Sequence, residues 1–183
     1  MSYTQAEKLQ ILLLCDIHEA LGIKNRYDPE LIREAVSSDN IWALEWEYQN
    51  LSTEDDNPVE VKHVCDVLDM YDILKFTYEH LSPDDQAKLI EEVPHFSPAH
   101  SLTFPGFDGN NEGRLRSIAY MLNRMGRFNT QEITKNSHHP TYDTSERMLS
   151  VYLPERSNFQ HQRGITYEAL RDTLLAQIRP SNR

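Results

Sequence analysis

Two carboxylates and a run of cations lie within one short stretch, Asp108-Gly109-Asn110-Asn111-Glu112-Gly113-Arg114-Leu115-Arg116. Asp108 and Glu112 could serve as acid and base, and Arg114, Arg116, Arg124 and Arg127 could hold an anionic group against them. The stretch opens like a calcium loop, with oxygen-bearing residues at the first, third and fifth places and glycine at the sixth. The twelfth place rules that out: a bidentate Glu is required there and Ala119 occupies it, with Arg116 at the ninth. Two readings of the carboxylates remain. In one, Asp108 or Asn110 caps the helix that follows and Glu112 sits in its positive first turn. In the other, exposed Asp108 and Glu112 carboxylates and Arg114 line a polar pocket beside a Gly/Pro-rich loop, as a hydrolase or nucleotide-binding enzyme would need.

Metal and nucleophile chemistry is weakly supported. Glu60-x-x-His63 has the spacing that carboxylate-bridged di-metal bundles use, but Glu60 at a helix start is explained by the helix dipole alone. Its echo, Glu92-x-x-His95, is interrupted by Pro94. Cys15-x-x-His18 with His63-x-Cys65 makes a formal zinc set, yet His63 and Cys65 stand about 200° apart around one helix and cannot share an ion. Solvated loop positions account for His95, His100, His138 and His139, and core packing for the two cysteines as reduced thiols. No metal and no cofactor is expected, and neither a nucleophile elbow nor a phosphate loop is present.

Charge divides the chain. Residues 1–93 hold 7 Lys/Arg and 21 Asp/Glu, whereas residues 94–183 hold 11 and 8, within a total of −11. The acidic half repels phosphates, so a nucleic-acid role, which the composition disfavours, would have to use the later half. There Arg116, Tyr120, Asn123, Arg124 and Arg127 share about 100° of one helix face. That face would bind an anion, an RNA or, most simply, the acidic half of the same chain. Trp42 and Trp46 lie four apart on a short helix that is apolar on two faces, which places them in the core or at a subunit interface.

Helical signals carry all of these residues. Thr4 and Glu7 form a capping box before Leu9, Leu12, Leu13, Ile17, Ala20 and Leu21, predicting a helix over about 5–21. Asp28-Pro29 opens a second helix and Asn40 a third, to Leu51. The longest, about 58–81, carries Val61, Val64, Cys65, Leu68, Tyr71, Leu74, Tyr78 and Leu81 in one stripe. Further helices are expected from Ser82 to Val93, from about Asn111 to Met125, from Asp143 to just before Pro154, and from Thr166 to Ile178. Residues 94–110 and 129–142 read as loops. Nothing alternates like a strand, nothing approaches the roughly 20 apolar residues of a membrane span, and no secretory signal is seen. A cytoplasmic, membrane-free protein is the expectation.

The segments ALEWEYQNL (43–51), VCDVLDMYDIL (64–74), FPGFDGNNEGR (104–114), MGRF (125–128) and SERMLSVY (145–152) occur in an order that resembles the YfbU-like family of bacterial proteins over nearly the whole chain. Phe104, Gly106, Phe107, Asp108 and Glu112, followed by Gly126-Arg127, are the most specific part. A longer tail after Ser150 and an insert-like 23–38 depart from the pattern. The resemblance implies an all-α, cytosolic, self-associating protein and brings no catalytic residues with it. The combined expectation is one domain over 1–183, seven to eight helices in a compact bundle, with an acidic lobe over 1–93 and a mildly basic one over 94–183 as a subdivision. Its expected role is that of a homo-oligomeric interaction or regulatory module, acting on itself or on an unidentified protein partner. A hydrolase built on Asp108 and Glu112, or RNA binding through the Arg face, is the alternative.

Overall fold

The structure is a computed structural model that describes residues 3–51 and 57–178. Among them it is all helical, with two isolated bridges, Phe107 to Asn136 and Gln160 to Gly164. Nine α-helices follow one another among the described residues: α1 (Gln5–Ala20), α2 (Pro29–Ser37), α3 (Trp42–Glu47), α4 (Val59–Glu79), α5 (Pro83–Glu92), α6 (Pro98–Ser101), α7 (Gly113–Arg124), α8 (Tyr142–Glu155) and α9 (Tyr167–Gln177). The capping chemistry of α1, α2, α5 and α9 holds as expected. Thr4 and Glu7 close a capping box on α1, Asp28 accepts two backbone N–H groups of α2, and Ser82 and Thr166 cap α5 and α9.

Three elements differ from expectation. The third helix stops at Glu47, because Tyr48 leaves the helical backbone and its hydroxyl accepts the Asp28 N–H; a short 3-10 turn, Gln49–Leu51, follows. The 94–110 loop contains the single-turn α6, started by Pro98. Pro154 lies inside α8 rather than beyond it, in the last turn, where the chain passes directly into a second 3-10 turn at Arg156–Asn158. The part of the unusual tail beyond residue 178 lies outside the described residues.

Helix α4 is the axis. Val64, Val67, Leu68, Met70 and Leu74 are fully buried on it, so its apolar surface is wider than the single stripe that the spacing suggested. It packs on α7, α8 and α9, while α8 and α9 form a hairpin and α5 leans on α9. Helices α1 and α2 form a second hairpin, attached through α2 to α3 and α7. One core draws on both halves of the chain, from Leu31 to Ala176, but takes no side chain from α1. No described helix is long and apolar enough to cross a membrane.

Close approach makes Gly164 irreplaceable. Gly164 has φ +80, and a Cβ there would run into the Thr77 side chain, whose hydroxyl accepts the Ile165 N–H at 3.1 Å just before α9. Gly164→Ala combines left-handed strain with overpacking and is expected to destabilise by about 3 kcal/mol in urea unfolding.

Candidate functional site

The residues that resemble the family motif meet where the 104–112 and 134–141 segments reach the N-terminus of α8. Phe104 and Phe107 are buried edge to face at 5.0 Å, and Tyr71 of α4 closes on Phe104 at 5.8 Å. Gly106 turns the chain between them with φ +96, and a Cβ there would meet the Lys135 carbonyl. Beyond the turn, Asn136 accepts the N–H groups of Gly109 and His138 at 3.1 and 3.0 Å, joining the two loops.

Glu112 stands at the centre of this junction. Its carboxylate accepts four hydrogen bonds: from the N–H of Asp108 at 2.8 Å, of Thr141 at 2.6 Å and of Tyr142 at 2.6 Å, and from the Thr141 hydroxyl at 2.9 Å. Thr141 is the N-cap of α8 and makes no capping bond with its own side chain, so Glu112 caps α8 across 29 residues of sequence. Asp108 accepts the Asn110 N–H at 3.1 Å and a side-chain N–H of Asn111, and these bonds hold its carboxyl below the usual range. Two expectations are therefore corrected. Neither Asp108 nor Asn110 caps α7, whose N-cap position is Glu112 itself with its side chain turned away, and both carboxylates are buried rather than exposed, at 1% and 7%.

A second pair adjoins the first. His63 on α4 is buried, with Nδ1 2.8 Å from Glu146 Oε1 on α8 and its ring stacked at 4.6 Å on Tyr142. Glu60, its sequence neighbour in the di-metal pattern, is exposed and is not its partner. His63 Nε2 has no hydrogen-bond partner. Burial lowers the His63 pKa, opposed by the Glu146 charge and hydrogen bond and by Asp66 and Glu112. A carboxylate-held imidazole of this kind can move a proton at Nε2, although it is only 9% exposed. Among the described residues, no group of three or more His, Cys, Asp or Glu side chains could hold a metal ion. Cys15 and Cys65 are free thiols, and burial pushes Cys65 up to about 11.

The arginines do not converge on this site. Arg114 donates to the Ser38 carbonyl and to Asn40, a fully buried side chain that also bonds Trp42 and Ser117. Arg116 lies over Tyr120 and donates to its hydroxyl at 3.1 Å. Arg124 pairs with Asp28, Glu30 and Glu34 at 3.1 to 3.3 Å, so on this face the acidic half does meet the basic one within the chain. Arg127 is exposed. Of the tryptophans, Trp42 is buried and Trp46 half-buried against it at 4.9 Å, which is the core alternative for Trp42.

The apolar surface that the sequence reading missed is on α1. Leu9, Leu13, Leu14 and Ile17, with Leu21 at the C-cap, are 52 to 69% exposed. The spacing of these leucines announces the helix without saying what covers them; only Cys15 is buried on α1, and α2 is its main helical neighbour. The available signal was that apolar residues surround α1 almost completely, from Leu9 through Ile11, Leu12, Leu13, Leu14, Cys15 and Ile17, more than one neighbour can cover.

The family model of the YfbU domain matches residues 1–175, a span that includes the Glu112 junction, the His63 pair and α1. No curated protein matches the chain.

Removing the Glu112 carboxylate would strand two buried N–H groups, a part-buried one and a buried hydroxyl. Glu112→Ala is expected to destabilise by about 3 kcal/mol or more and Glu112→Gln by roughly half as much, as read from urea midpoints. His63 supplies a pH signature. The unfolded imidazole, at its ordinary 6.5, takes up a proton before the folded one does. Stability contributed by neutral His63 is thus complete above that value and is lost as pH falls through it towards the lowered folded-state value. His63→Gln should flatten the fall in urea midpoint over this interval, and an unchanged slope would show that the imidazole does not contribute.

Proposed function

The chain belongs to the YfbU family, and we propose that it works as a homo-oligomeric interaction module. One observation carries this reading: the exposed aliphatic face of α1, formed by Leu9, Leu13, Leu14, Ile17 and Leu21. Scattered apolar residues are ordinary on a protein surface, but a contiguous row of five large ones on one helix marks an interaction site.

The polar candidates support the same reading from the other direction. A hydrolase built on Asp108 and Glu112 needs carboxylates that can reach a substrate, and both are buried and hydrogen-bonded to the backbone. An RNA-binding face built on Arg124 needs a guanidinium available to phosphate, and this one is held by three carboxylates of the chain itself.

Multi-angle light scattering on purified protein at micromolar concentration tests the proposal. The expected mass is a multiple of the 21.4 kDa subunit. A mass of one subunit across that range would overturn it.

A further inference from the structure

Helix α1 presents one uncharged strip from end to end. Taking 100° per residue, Leu9, Leu13, Ile17 and Leu21 advance by about 40° at each step, and Ala6, Gln10, Leu14 and Ala20 fall within the same sector of roughly 140°. All eight are exposed. The charged residues of the helix lie outside that sector and are engaged elsewhere. Glu7 is in the capping box, Lys8 pairs with Asp39, and Asp16 and Glu19 both pair with Arg33 of α2. Salt bridges thus fasten the back of α1 to its own chain and leave the front free of charge.

Resting on the self-association proposed above, we infer that the occupant of this strip is α1 of a second copy, packed antiparallel about a two-fold axis near the middle of the helix. The strip is self-complementary in that direction. Leu9 comes opposite Leu21 of the second copy, Leu13 opposite its Ile17, and Gln10, the one polar side chain in the sector, opposite the small Ala20. A row at four-residue spacing is also the ridge that packs helix on helix at about 50°.

Charge selects antiparallel over parallel. Lys24, just beyond the C-terminal end of α1, is exposed and pairs with no acid among the described residues, and an antiparallel pair brings it to the N-terminal end of the other copy, where Glu7 lies. A parallel pair would set Glu7 against Glu7 and align the two helix dipoles. Five half-exposed large aliphatics present on the order of 500 Å² per copy, the larger part of the roughly 800 Å² that each partner buries in a stable interface, with the rest left to the flanking residues of the strip. The apolar surface also continues past Leu14 into a 240 Å³ pocket between α1 and α2, lined by Ile11, Cys15, Tyr27 and Ile32 among others.

The test uses the full chain. Leu13→Glu and Ile17→Glu are each expected to weaken self-association by about thirtyfold or more, whereas Ile90→Glu, at an equally exposed position on α5, leaves it unchanged. Independently of any variant, a carbodiimide that joins touching carboxylates and amines should link Glu7 to Lys24 in the wild-type protein. The two are some 25 Å apart along a single α1, so that link arises only between copies. A wild-type monomer would overturn both this inference and the reading it rests on. An oligomer that ignores Leu13→Glu and Ile17→Glu would overturn the α1 interface and leave self-association standing. Dissociation by those variants without a Glu7–Lys24 link would overturn the antiparallel arrangement.

Discussion

The buried carboxylate of Glu112 is the constraint around which the rest of the later half is arranged. A charge 7% exposed survives in a helical core only if its oxygens are fully hydrogen-bonded. Four donors meet that demand, and two of them are the first N–H groups of α8, where the helix dipole also favours a negative charge. The requirement runs outward from there. To bring Asp108 N–H to the carboxylate, the chain must turn sharply after Phe104, and Gly106 allows it against the Lys135 carbonyl. To bring Thr141 there, the 134–141 segment must run beside 107–109, which Asn136 and the Phe107 bridge secure. The motif residues Phe104, Gly106, Phe107, Asp108 and Glu112 are thus parts of one junction, two of them as ring packing and three as backbone control.

The uneven charge of the two halves has a similar internal answer. Arg124 reaches from α7 to three carboxylates at α2, Arg156 pairs with Asp66 and Asp69 on α4, and Arg171 lies 3.6 Å from Glu92 on α5. Each arginine comes from the later half and each of these acids from the earlier one. Half-exposed pairs of this kind contribute little singly. Their value is directional, since they favour one docking of α2 on α7 and of the segment after α8 on α4. Asn40 complements them where solvent is excluded, with its amide bonded to Ser38, Ser117, Trp42 and Arg114.

Helix positions were readable in the sequence because their causes are local. A Ser, Thr or Asp followed by Pro or an acidic turn sets a start within a few residues, and Thr4, Asp28, Ser82 and Thr166 all act as caps. Partners from distant parts of the chain were not readable. Nothing near Glu112 announces that its acceptors are needed 29 residues away, and nothing near His63 points to Glu146 rather than to Glu60. The end of α3 was misplaced for the same reason, and that of α8 for a local one. Tyr48 leaves the helix to meet Asp28, and Pro154 is tolerated because it stands in a final turn that tightens into a 3-10 helix. Periodicity also reports that a face is apolar without reporting what covers it.

That last limit explains α1. Its attachment to the chain uses Cys15 and the half-buried Ile11 and Leu12 against α2, with ion pairs from Lys8 and Arg33. None of these contacts requires Leu9, Leu13, Leu14, Ile17 or Leu21. Glutamate or lysine at those positions would serve helix formation as well as leucine does and solubility better. Five large aliphatic side chains kept in water therefore have no cause among the described contacts of this fold. The hydrophobic effect supplies the cause as soon as a second apolar surface covers them, and the uncharged, self-complementary row on α1 is itself such a surface.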